Sequence, residues 1–173
     1  MKNKILIRIA VLFVFAIGTV PALAQELTTG LQVNNYMSDM LDTLFAKGQA
    51  WGRELNADQK SGDYSGIARC RRDMNAKLDE DITLLSNMKD VGGSEEFRKA
   101  MINFFYYEKE LIRTSFIPFE SLTSASTDDD ITTLHNNLIT NAQNEDAEVG
   151  KIKKLQDDYA KKNGFTITPD DGK

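Results

Sequence analysis

LQVNNYMSDMLDTLFAKGQAWGREL, residues 31–55, decides the fold class. Val33, Met37, Leu41, Leu44, Gly48, Trp51 and Leu55 recur at alternating steps of four and three. That spacing lays a single apolar seam along a helix packed nearly parallel to its neighbours. Gly48 within the seam leaves room for another helix to approach closely. The polar stretch Asn56–Gly62 predicts a connection, and the same rhythm then returns three times.

Ile67, Cys70, Met74, Leu78, Ile82, Leu85 and Met88 predict a second helix over 63–88, with Asp63 as its N-cap. Val91-Gly92-Gly93 turns the chain. A third helix is predicted over 94–124, with a wide apolar face running from Phe97, Met101, Phe104 and Phe105 to Leu111, Ile112, Phe116 and Phe119. Glu95 and Glu96 complement its positive end. Pro118 should kink it, because proline lacks the amide hydrogen and its ring clashes with the preceding turn. A fourth helix over 128–163 is capped by Thr127 or Asp128. Its stripe is Ile131, Leu134, Leu138, Ala142, Glu145, Val149, Ile152, Leu155 and Tyr159, and Asn163-Gly164 stops it. Four amphipathic helices with short connections predict an all-α, antiparallel up-down-up-down four-helix bundle over 25–165, followed by a flexible tail over 166–173.

Residues 1–24 read as a cleaved signal peptide. Lys2, Lys4 and Arg8 form the positive region, Ile9–Ile17 the apolar region, and Ala22-Leu23-Ala24 the cleavage site, leaving Gln25 first. A lipid anchor would require cysteine at that position. The expected destination is the periplasm or cell surface through the Sec pathway, with no stable membrane anchor after cleavage. Removing the leader leaves 18 basic and 26 acidic side chains on 149 residues, a formal charge of −8. This balance argues against nucleic acid and anionic lipid surfaces as partners and suits a monomer. Cys70 is the only cysteine; a lone thiol bound for an oxidising space is expected in the core.

The chain offers little catalytic vocabulary. A di-iron bundle needs two Glu-x-x-His motifs, and here His135 is the only histidine. Covalent haem, the P-loop, the Gly-x-Gly-x-x-Gly turn and the Gly-x-Ser-x-Gly elbow all lack their motifs. No cofactor or metal is expected, and the reading is non-enzymatic. Two carboxylates stand out. Glu108 lies on the apolar face of the third helix, and Glu145 on the seam of the fourth. Both fall near mid-helix, so an antiparallel bundle can place them in one layer. Buried carboxylates must be paired or neutralised, and Arg71 and Arg113 are candidate partners. Trp51 with Phe104, Phe105, Tyr106 and Tyr107 can line an apolar pocket, and consecutive aromatics leave at least one at the surface. The candidate contact residues are therefore Trp51, Tyr106, Tyr107, Glu108 and Glu145.

Glu95-Glu96-Phe97-Arg98-Lys99-Ala100-Met101 through Phe119-Glu120, with the Asn35-Tyr36-Met37-Ser38-Asp39 opening and the leader, resembles a group of small bacterial exported surface proteins. The resemblance implies a helical fold and no catalytic residues. The expectation is an exported bundle that binds a protein or envelope component, with a small-ligand, metal or cofactor-binding periplasmic bundle as the alternative.

Overall fold

A computed structural model of the chain describes residues 27–167. The predicted leader and the end of the predicted C-terminal tail lie outside those residues. Within them the fold is all-α, with four helices: α1 (Gly30–Ser61), α2 (Ile67–Asn87), α3 (Glu95–Leu111) and α4 (Asp128–Asn163). α1 packs on α2 and α4, and α3 packs on the same two helices. The core between them is built from Val33, Met37, Leu44, Trp51 and Leu55 of α1, Ile67, Met74, Leu78 and Leu85 of α2, and the phenylalanines of α3. None of the described helices is long and apolar enough to cross a membrane.

Helix ends follow cap chemistry, and several depart from the sequence reading. α1 begins on a capping box: Gln32 donates its amide to the Thr29 hydroxyl, and its side chain accepts from the Thr29 amide. It runs through the predicted connection to Ser61 and stops at Gly62, whose φ of 75° suits glycine. The extra turns carry Asp58, which is buried. Its carboxylate accepts the Ile67 amide at 3.3 Å. α2 is therefore capped by a side chain from α1, not by Asp63, which instead closes a turn by accepting from the Ser65 amide at 3.0 Å. At the far end of α2, Arg98 of α3 donates to the carbonyls of Leu85 and Met88. Cys70 is half-buried, not enclosed.

The predicted kinked third helix is three pieces. α3 ends at Leu111, a π-helical turn spans Ile112–Phe116, and a 3-10 turn spans Ile117–Ser121. Pro118 explains the change. An α-helix would bond the amide of residue 118 to the Thr114 carbonyl; proline has no such hydrogen and crowds that carbonyl. The backbone widens ahead of it, and Asn137 of α4 donates its side-chain amide to the Thr114 carbonyl at 3.1 Å. The neighbouring Asn141 donates to the Ser115 hydroxyl at 2.6 Å. On the other flank, Arg71 of α2 grips Glu120 with two hydrogen bonds of 2.7 and 3.0 Å.

α4 opens on a second capping box, Thr127 with Asp130. Its predicted stripe is shallower than expected: Ile131, Leu134, Leu138 and Val149 are only half-buried, and full burial is confined to Ile152, Gln156, Tyr159 and Ala160. Gln156 donates to Asn34 and Ser38 of α1, each at 3.0 Å, so that buried polar cluster is satisfied.

Two stability measurements follow. Thr127→Ala should lower stability by about 1 kcal/mol, the usual worth of an N-cap hydroxyl. Asn137→Ala should cost about 0.5–1.5 kcal/mol where Thr114 depends on it, and measurably less in a Pro118→Ala background, whose amide can serve that carbonyl. A urea-unfolding double-mutant cycle measures the difference; strict additivity would disprove the proline account.

Candidate functional site

The five candidate residues separate into three environments. Trp51 is core, 2 % exposed. Its ring stacks on Phe116 at 4.0 Å and meets Phe119 edge-on at 5.6 Å. Its contacts are thus with the π and 3-10 turns rather than with Phe104–Tyr107, and it lines no pocket with them. Tyr106 stands at the surface, 56 % exposed. Tyr107 lies between, stacked near Phe104 and donating its hydroxyl to the Asn141 carbonyl at 3.2 Å.

Glu108 and Glu145 form the third environment. Glu108 is buried, and its Oε1 has no hydrogen-bond partner. The arginines expected beside it are elsewhere: Arg71 holds Glu120, and Arg113 holds Glu110 on the solvent face, its Nε donating at 2.8 Å. Lys109, next in sequence, turns out to Asp79 of α2. The charge that acts on Glu108 comes instead from Glu145, across the α3–α4 seam. Burial, and then that like charge, push the Glu108 carboxyl up to about 8. Glu145 is itself raised by burial and next by Asp146. Tyr107 is raised by burial first and then by the charges of Glu108, Glu145 and Glu148. At neutral pH the pair therefore holds a proton, as two carboxylates confined together must.

The α3 side of this seam is positioned by the break in its helix. The Ile112 amide is shared between the Glu108 and Lys109 carbonyls, and the π turn begins there. Such turns frequently accompany functional side chains. On α4, Asn137, Asn141, Glu145 and Glu148 follow one another at helical spacing, a polar row that begins at the two amides meeting the π turn.

His135 is occupied by neighbours. Its Nε2 lies 2.6 Å from the Gln59 side-chain nitrogen, and its ring meets Phe119 edge-on at 5.3 Å. Burial lowers its pKa, and acceptance from Gln59 places the proton on Nδ1. Among the described residues no three metal-ligating side chains gather.

Sequence reading missed one buried acid. Asp81 of α2 is fully buried. Lys77 approaches its Oδ1 at 3.0 Å, yet neither oxygen accepts a well-directed hydrogen bond. Burial raises its pKa, against the pull of Lys77. The signal was available: Asp81 falls three residues after Leu78 and four before Leu85, on the apolar stripe, just as Glu108 lies within its own.

No protein-family model, curated protein or solved structure matches this chain.

Proposed function

We propose that this is a non-enzymatic, exported binding protein of the cell envelope, a monomeric up-down-up-down bundle whose α3–α4 seam takes a cationic group at Glu108 and Glu145. The observation that carries the reading is Glu108: a buried carboxyl with an unpartnered oxygen, facing a second carboxylate, with no basic side chain acting on it. A buried acid left in that condition is costly unless something neutralises it. The proton does so in the free protein; a cation from a small ligand, or the basic group of a protein or envelope component, can replace it. Export rests on the leader read from residues 1–24, and the acidic surface is consistent with it. The resemblance to small exported surface proteins points the same way. Partner contact through an aromatic patch has less support, because Trp51 is core and Tyr107 is engaged; of that group only Tyr106 stays exposed.

The test is thermal unfolding of the full chain with calcium chloride, magnesium chloride or tetramethylammonium chloride, against sodium chloride at equal ionic strength. At least one cation should raise Tm in the wild type and fail to do so in Glu108→Gln and Glu145→Gln. A ligand at a hundred times its Kd stabilises by about 2.7 kcal/mol, a shift of several degrees at this size. Because binding displaces a proton, the shift should grow as pH rises toward 8. No shift with any of the three, or an equal shift in both variants, would overturn the reading.

The free protein should show the opposite trend. Folding raises the Glu108 carboxyl from its ordinary 4.5 to about 8. The folded state then holds a proton that the unfolded state has released. That contribution is complete below the ordinary carboxylate range and is lost as pH climbs to about 8. Urea unfolding between pH ~5 and ~8 should show stability falling, by no more than about 1.4 kcal/mol per pH unit for one proton. Glu108→Gln should flatten the profile.

A further inference from the structure

A second site is built on the opposite seam, between α1 and α2. There a cleft of about 150 Å³ is lined by Tyr36, Asp39, Met40, Thr43, Lys77 and Asp81. We propose that this cleft binds a primary ammonium carried on a short aliphatic stem, with Asp81 as its anionic floor and Asp39 at its rim.

Asp81 supplies the main argument. It has no exposed surface, it lines the cleft, and although Lys77 is ion-paired with it, its Oδ2 accepts no hydrogen bond. The one cation present does not meet the demand. Lys77 divides its ammonium between Asp81 Oδ1 at 3.0 Å and Glu80 at 3.1 Å. Within the cleft two carboxylates therefore face one shared positive charge. Tyr36, half-buried, is raised by burial and then by Asp81, and Asp39 stands at the exposed rim, its carboxyl raised by partial burial.

The remaining lining selects the kind of cation. An ammonium offers three donors and no acceptor. It would meet Asp81 Oδ2, the Asp39 carboxylate and the Thr43 hydroxyl oxygen, whose own hydrogen is committed to the Asp39 carbonyl at 2.7 Å. Met40, almost wholly buried, and the half-buried Tyr36 ring give an apolar wall for the stem. A divalent metal fits less well: calcium takes 6–8 oxygens, and the described residues bring no three metal-ligating side chains together. The volume falls below the ~300 Å³ of a pocket for a drug-sized molecule, so the guest is an amine of side-chain size.

This site is independent of the α3–α4 pair, and its test separates the two. The full chain, labelled with ¹⁵N, is titrated with n-butylammonium chloride, with sodium chloride and calcium chloride as controls. Saturable shifts should centre on the amides of Tyr36, Asp39, Thr43, Lys77 and Asp81. The affinity should drop at least tenfold in Asp81→Asn and in Asp39→Asn, and stay unchanged in Glu108→Gln. Asp39 lies at the surface, so its variant keeps the test valid if Asp81→Asn does not fold. Shifts at these amides no larger than those from sodium chloride, stronger binding of calcium at these same amides, or full affinity in Asp39→Asn would each overturn the proposal.

Discussion

A single missing amide hydrogen organises one side of this molecule. Pro118 cannot serve the Thr114 carbonyl, so the helix that begins at Glu95 cannot continue as an α-helix to Ser121. Asn137 answers from α4, and Asn141 follows one turn later on Ser115. These two contacts fix where α4 lies along α3. One turn beyond Asn141 on α4 is Glu145; one turn before the π segment on α3 is Glu108. The register that satisfies a proline-orphaned carbonyl is the register that sets two carboxylates within reach of one another.

The other helix ends show the same dependence on neighbours. The first amide of α2 is taken by Asp58 of α1, and the last carbonyls of α2 by Arg98 of α3. Helix termini leave backbone groups that must find partners, and here two of them find partners in other helices. Removing Asp58 or Arg98 would thus affect a helix to which neither belongs.

These dependencies explain what could be read in advance. The four apolar stripes carry period information, and the period identifies α1 through α4 almost completely; Val33, Met37, Leu44, Trp51 and Leu55 all lie in the core. The ends of the elements were harder to read. Asn56–Ser61 looks polar and loop-like, yet it is helical because Asp58 has an acceptor's role in α2. The Pro118 signal was legible as a disruption but not as a π turn, since the compensating donor, Asn137, lies 23 residues beyond the Thr114 carbonyl it serves. For the site, the apolar context of Glu108 and the seam position of Glu145 were visible in the sequence. Their lack of a basic partner was not, because Arg71 and Arg113 each have a nearer acid, in Glu120 and Glu110. Asp81 escaped notice because Lys77, four residues earlier on the same helix, resembles an ordinary surface pairing.

The uneven burial of α4 has a consequence for how the fold opens. From Asp128 to Lys151 no residue is buried, whereas Ile152, Gln156, Tyr159 and Ala160 anchor the last turns. The first two-thirds of the helix are held by half-buried apolar side chains such as Ile131, Leu134, Leu138 and Val149, together with side-chain amides, Tyr107 and the His135–Gln59 contact. Segments with few buried apolar contacts open at lower free energy than the core. α4 should therefore behave as two foldons, with backbone amides ahead of Lys151 exchanging with solvent through a local opening, and those behind it only when the whole core unfolds. Glu145, which covers Glu108 from α4, sits on the labile side of that boundary, so access to Glu108 does not require the hydrophobic core to come apart.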